Sequence, residues 1–490
     1  MSPEERAALA ASMRRRLSQD SVNAIPRVAN GGPVPLSFAQ QRIWFLEQWE
    51  PGGFTHNGAR AYRLRGRLDA AALERALALI VERHEVLRTV YVLEEREPRQ
   101  QPLASWSISL PVVDLSTNPA AGRAEELERQ MRRLSREPFD LTTDVMLRAT
   151  LFRLAPEEHV FLVRLHHIAF DAFSDRIFLS ELSSAYSAFA TEEEPALPEL
   201  PIQYSDFAVW QREHLAGLRM TELVDYWRTA LGDAPPILRL PTDGPRRLPQ
   251  RHEGRHHPVS LPGSLMPAIV ALGRAESATP YMVLLAAFAV LLYRISGQDD
   301  VVVGTPIANR GQVELQSLIG FFSNTVAMRI RLHGNPSFRE VLARARETAI
   351  GAYAHQELPF ERVVEELHVT RDPRYNPVFQ VNFRAQAEER MPLELKGLDV
   401  EPLSIDIGFS RFDLALELRF EPETIGGYIE YDLDLFDDST VDGLAAELAT
   451  TLEQLVGNPD RTILELNVRP RWLRASPPRI PRRTGVGHDE

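Results

Sequence analysis

Apolar residues recur at three- and four-residue steps over 68–83, where Leu73, Leu77 and Ile80 share one face, and this spacing predicts an amphipathic helix. The same period over 174–189 lines up Ile177, Phe178, Leu182, Tyr186 and Phe189. Further helices are predicted over 125–136, with charges of both signs, and over 338–353. The run 281–293 is apolar on every side and follows Thr279 and Pro280, a cap and first-turn pair, so it reads as a buried helix too short to span a bilayer. Strand patterns fall between these helices. Residues 86–92 are rich in β-branched side chains, 301–305 form a short apolar run, and 326–332 alternate. Helix and strand alternate through the first 190 residues and again from 268 onward, with no internal repeat, which predicts an α/β (α+β) chain.

Proline and glycine punctuate this pattern. Residues 191–201 are acidic and proline-rich, and 232–262 carry Pro235, Pro236, Pro241, Gly244 and Pro245, which predicts a long exposed loop. The expected organisation is a helical segment over 1–20, an N-terminal lobe over 21–200, a connection over 201–262, a C-terminal lobe over 263–466, and a basic, proline-rich tail over 467–490. A chain of 490 residues is too long for one ordinary core, so two lobes are expected.

Composition narrows the chemistry. A net charge of -13 argues against general nucleic-acid binding. With no cysteine, thiol nucleophiles, disulfides and cysteine-based metal sites are excluded. The only lysine is Lys396, and neither a phosphate-binding glycine loop ending in Lys nor a serine nucleophile elbow occurs. The first residues lack the basic start and apolar core of a signal peptide, so the expected location is cytoplasmic, with no membrane contact.

The strongest candidate chemistry lies at 161–174, where an apolar strand runs into His166, His167 and then Asp171. Successive strand side chains point to opposite faces, so the two histidines cannot enter one cleft together while the strand stays regular. One is then catalytic and the other packed. A neutral imidazole there can accept a proton from an amine or alcohol, and Asp171 can orient the ring or pair with an arginine. A third reading makes His167 and Asp171 two ligands of a metal, although zinc usually needs more protein ligands than these.

Seven segments in order give this motif a context. Residues 36–46 hold Leu36, Ser37, Arg42 and Trp44; 83–89 hold Arg83, His84 and Arg88; 166–174 hold the His-His-Asp string. Residues 204–210 hold Tyr204 and Trp210; 318–325, continuing to Arg329, hold Gly320, Phe321 and Phe322; 355–361 and 371–377 follow, the last with Asn376 and Pro377. Over about 15–465 the chain resembles the condensation domains of nonribosomal peptide synthetases. The resemblance implies two lobes like those of chloramphenicol acetyltransferase, set as a V with a central substrate tunnel. It implies a condensing acyltransferase of secondary metabolism and antibiotic biosynthesis that joins a carrier-bound acyl or aminoacyl thioester to an amine. No bound cofactor or metal is expected, the substrates riding on the phosphopantetheine of donor and acceptor carrier proteins, and the chain is expected to be a monomer. His167 is implied as general base or as the acceptor that positions the nucleophile. His166 is implied as packed support, Asp171 as an ion pair with Arg88 or Arg329, and Asn376 as a group near the reaction centre or a turn residue. Trp44, Trp210, Phe360, Arg42 and Arg83 are expected to be structural.

The chain departs from the family at Ala172 and Phe173, where Gly and often Trp are usual. The alanine methyl either fits a turn of negative φ or narrows the space beside His167. With no carrier motif and no adenylation-domain link in view, a stand-alone condensation enzyme or an excised domain is expected. The Ala172 change and that architecture motivate an alternative with a hydroxyl or free small amine acceptor; an alternative of another class is a noncatalytic recruitment domain, against which the intact His167 argues. Arg246 and Arg247 or the basic tail are expected to meet acidic carriers.

Overall fold

The computed structural model describes residues 24–28, 32–49, 51–248, 250–368, 372–387, 391–420 and 425–466. The helix expected over 1–20, the tail over 467–490 and Arg371 of the seventh motif lie outside the described residues.

The described residues form a mixed α+β structure built on two larger sheets and one small one. A five-stranded sheet runs Asp399–Leu403, Asn57–Arg65, Glu158–His166, Leu147–Ala155, Val112–Asp114. Its middle strand, Glu158–His166, pairs antiparallel with both neighbours. Both faces of this strand are covered, which explains its apolar run on successive positions, interrupted by Arg164: Phe161, Val163 and Leu165 enter one core, while Val160 and Leu162 enter another. A six-stranded sheet runs Asn324–Arg331, Asp300–Ile307, Val381–Ala387, Leu414–Phe420, Ile425–Asp432, Gly254–Leu261. The small sheet joins Val34–Pro35, Glu97–Pro102 and Thr89–Glu94.

The apolar helix is Pro280–Ser296, packed into the core of the six-stranded sheet. The Thr279 hydroxyl accepts from the Met282 N–H at 3.3 Å, and Gly297 ends the helix in the left-handed conformation, φ 72°. No single helix among the described residues is long and apolar enough to cross a membrane.

Three sequence expectations change. The strand expected over 86–92 begins only at Thr89, because Glu85–Arg88 is a 3-10 turn. The loop expected over 232–262 contains the edge strand Gly254–Leu261. Its inward residues are few, and Pro258 is tolerated because an edge strand has a free side, so the apolar alternation was too weak to read. The division at 201–262 is also crossed. Leu315, Leu318, Ile319, Phe322, Leu393 and Leu395, expected in the second lobe, pack in the first core, and Asp399–Leu403 extends the first sheet by pairing with Asn57–Arg65.

Candidate active site

The strand Glu158–His166 stops because His166 turns back on the chain: its Nδ1 accepts the Ile168 N–H at 3.2 Å and caps the 3-10 turn His167–Ala169. His166 is 2% exposed. With Nδ1 accepting, the ring proton sits on Nε2, which faces Glu47 Oε1 at 3.4 Å; the same oxygen accepts from His56 Nδ1 at 2.7 Å. Burial would raise the Glu47 carboxyl, but the bonds from His166 and His56 bring it down to about 2. Burial brings His56 down to about 4. Among the described residues, Glu47, His56 and His166 also bring their ligand atoms together as a metal site would require, but a carboxylate accepting from two imidazoles already accounts for them.

His167 keeps partial exposure. Its backbone N–H donates to the His56 carbonyl at 2.8 Å, and its Nδ1 lies 3.1 Å from the Phe170 carbonyl. A carbonyl can only accept, so Nδ1 carries the proton and Nε2 carries the free lone pair. Burial, and then the positive charge of Arg411, hold the imidazole down to about 3. Near neutral pH it is therefore an uncharged acceptor.

Asp171 is 2% exposed and saturated. Oδ1 accepts from the Ser174 N–H at 2.9 Å, the Ser174 hydroxyl at 2.8 Å and Arg310 Nη2 at 3.0 Å. Oδ2 accepts from the Phe322 N–H at 3.0 Å and from the N–H and hydroxyl of Ser323, each at 3.2 Å. This carboxylate has no capacity left for a metal or for orienting His167. It clamps the corner after the strand onto the loop that carries Phe321 and Phe322.

The arginine that pairs with Asp171 is Arg310, which corrects the expectation of Arg88 or Arg329. Arg88 donates to the Leu103 carbonyl at 2.9 Å and lies 3.7 Å from Glu85. Arg329 pairs with Asp300 at 2.7 Å and with Asp233, bracing the six-stranded sheet. Arg310 follows the strand Asp300–Ile307 and is sandwiched between the rings of Phe173 and Phe322, 4.6 and 4.1 Å from their centroids. Phe173 thus covers a buried guanidinium. Ala172 is exposed and is not among the residues of positive φ, so its methyl fits the turn without strain.

Residues of the first, fourth and fifth motifs meet at this corner, and others brace its surroundings. Gln40, fully buried, donates toward the Tyr91 hydroxyl at 3.2 Å and the Ile168 carbonyl at 3.4 Å, beneath the His167 turn. The Tyr204 hydroxyl donates to the Phe321 carbonyl at 2.6 Å and shares a bond with Ser37 at 2.9 Å. Arg42 pairs with Glu361 at 3.1 Å. Asn376 donates from Nδ2 to the Arg411 carbonyl at 2.9 Å, and Arg411 Nη2 donates across to the Thr55 carbonyl at 2.9 Å. Arg310 and Arg411 were missed by sequence reading. The only signal for Arg310 was its place, next to Gly311, in a loop between a buried strand and the fifth motif.

A condensation-domain family model matches residues 30–471. A linear gramicidin synthase of Brevibacillus parabrevis is 42% identical over 458 residues, 92% of this chain and 9% of that protein. Phosphinothricin tripeptide synthetase PhsC of Streptomyces viridochromogenes is 39% identical over 471 residues, 96% of this chain and 43% of that protein. The chain therefore spans less than half the length of either. Among solved structures, the X-domain from teicoplanin biosynthesis matches with a TM-score of 0.83 at 30% identity, covering 91% of this chain and 100% of that one. The first condensation domain of the calcium-dependent antibiotic synthetase, solved with a substrate analogue, matches in fold with a TM-score of 0.74 at 23% identity, covering 90% and 100%. With the family model spanning nearly the whole chain and these motifs assembled around His167, the chain belongs to the condensation-domain family of the nonribosomal peptide synthetases.

Proposed function

We propose that this chain joins a carrier-bound acyl or aminoacyl thioester to an amine acceptor on a second carrier, forming an amide and releasing the donor thiol. The observation that carries the reading is His167: partly exposed, uncharged, its tautomer fixed by the Phe170 carbonyl so that Nε2 is the free acceptor. Such a nitrogen can hold the attacking amine by one N–H, or take its proton as the C–N bond forms. Much of the acceleration would come from holding amine and thioester together.

His166, Asp171 and Arg310 support this role by building the corner, while Arg88 and Arg329 brace more distant parts. The substrates reach His167 as thioesters on phosphopantetheine, so the partners are carrier proteins, and the relatives named above, a gramicidin synthase and a tripeptide synthetase, fit that arrangement. The test uses a donor carrier loaded with an acyl or aminoacyl group and an acceptor carrier loaded with an amino acid, followed by intact-mass measurement. The acceptor should gain the mass of the donor group, and His167→Ala should abolish the gain under single-turnover conditions. Unchanged product formation by His167→Ala would sink the assignment.

A further inference from the structure

Arg411 is partly exposed, and among the described residues no carboxylate forms an ion pair with its guanidinium. Glu430, the acid whose charge acts on it, uses Oε1 on the Arg411 backbone N–H at 3.3 Å and faces His256 Nε2 with Oε2 at 3.3 Å. Burial and then the nearby charge of Arg42 bring the Arg411 pKa down to about 10, which still leaves it cationic near neutral pH. Of the several donors in its planar fork, one is used, on the Thr55 carbonyl. A partly exposed guanidinium with donors to spare and no opposite charge at hand is free to take an anion by charge-assisted hydrogen bonds.

The position of this cation says which anion. Thr55 adjoins His56, whose carbonyl takes the His167 N–H, so the Arg411 fork is bonded to the same short stretch that holds the catalytic turn. The charge of Arg411 is also the second cause, after burial, of the uncharged state of His167, which puts the two within electrostatic reach. Asn376, the residue expected near the reaction centre, gives its Nδ2 to the Arg411 carbonyl and so holds Arg411 in place.

We propose that Arg411 is a catalytic residue whose guanidinium donates to the oxyanion formed on the donor carbonyl as the acceptor amine adds. This rests on the amide-forming reading above. The nitrogen lone pair forms the C–N bond and the C=O π pair moves onto oxygen, where Arg411 meets it. When that pair returns, the C–S bond breaks, and the proton lost by nitrogen, held at His167 Nε2, goes to sulfur to give the thiol. A fixed cation serves the charge only while it exists, so its effect falls on the rate and not on carrier binding.

The same guanidinium would also suit a carboxylate carried by a substrate, and the test separates the two. Arg411→Met and Arg411→Lys are compared with wild type in single-turnover amide formation at saturating carriers, using donors with and without a side-chain carboxylate. Arg411→Met should lose on the order of 100-fold in rate with both donors while the half-saturating carrier concentrations stay within about threefold. Arg411→Lys should keep part of the rate, and added guanidinium ion should restore part of it to Arg411→Ala. The melting temperature of Arg411→Met should stay close to that of wild type, since the bond removed, to the Thr55 carbonyl, belongs to a partly exposed side chain. A rate within about threefold of wild type would overturn the assignment. So would a loss confined to carboxylate-bearing donors, or a loss that follows a fall in melting temperature and resists guanidinium. If wild type makes no amide, the functional reading fails and this inference with it; if wild type is active and Arg411→Met equals it, the inference alone fails.

Discussion

Asp171→Asn is the sharpest probe of how the corner is held, because it changes charge without changing shape. Each oxygen of the native carboxylate faces three donors, and on both sides some of these cannot accept: the Ser174 N–H and Arg310 on one, the N–H groups of Phe322 and Ser323 on the other. Whichever way an asparagine amide turned, its NH2 would point at a donor. The Arg310 guanidinium would at the same time lose its counter-charge in a place where both side chains are 1% exposed. Removing one member of a buried pair costs about 3–5 kcal/mol, a fall of roughly 3–5 °C in Tm for a body of this size. The assay is thermal and urea unfolding of Asp171→Asn, Arg310→Met and the double variant. The double variant should be more stable than the sum of the singles by ~1–3 kcal/mol, since the second change removes the orphan created by the first. A loss below ~1 kcal/mol for Asp171→Asn, or additivity of the two changes, would refute the clamp.

Gly320→Ala should cost about 1–3 kcal/mol in unfolding experiments, because a Cβ there falls inside the Tyr204 and Phe322 rings, and Tyr204 is pinned by Ser37 and Phe321; an unchanged melting temperature would show that those rings move freely. His167, held down to about 3, should keep the NMR shifts of a neutral imidazole from pH 8 down to about pH 5, and a midpoint near 6.5 would contradict the hold of its surroundings and of the Arg411 charge. His56, held down to about 4, binds its proton in the unfolded chain before the folded one, so it lowers stability as pH falls through about 6.5, by up to ~1.4 kcal/mol per pH unit. His56→Gln should flatten the decline in Tm between pH 6.5 and about 4.5, a window above the titration of Glu47, and an unaltered slope would count against it.

What the sequence made legible was local. Thr279 and Pro280 mark the start of Pro280–Ser296, and the helices expected over 68–83 and 338–353 are Ala70–Arg83 and Phe338–Ala354, within a few residues at each end. Strand alternation predicts that only one of His166 and His167 enters the cleft and the resemblance implies that it is His167; the structure shows the His166 ring buried and His167 partly exposed. Long-range pairing was not legible. Arg310 meets Asp171 across 139 positions, and nothing local distinguishes it from Arg88 or Arg329, both of which lie inside conspicuous motifs. Arg411 was hidden for the same reason, since its partner Thr55 is 356 positions away. The edge strand Gly254–Leu261 failed differently: a strand with one free side needs few apolar residues, and its His256, His257 and Pro258 imitate a loop.

The strand Asp399–Leu403 has a consequence for the order in which the protein can be made and for how it can be recombined. During synthesis, the sheet that carries His167 lacks its outer strand until residue 403 has left the ribosome, and Asp171 lacks its clamp until residues 310–323 have emerged. At about 5–20 residues per second, the nascent first half waits on the order of ten seconds or more with an open sheet edge and a bare buried carboxylate. A hybrid enzyme spliced at 201–262, the obvious seam in the sequence, would therefore pair one parent's catalytic corner with another parent's clamp and edge strand. The smallest unit that can be exchanged without breaking these contacts runs from the start of the first sheet through Leu403 and, because the six-stranded sheet closes only at Ile425–Asp432, on to the helix Asp438–Gly457 that covers it.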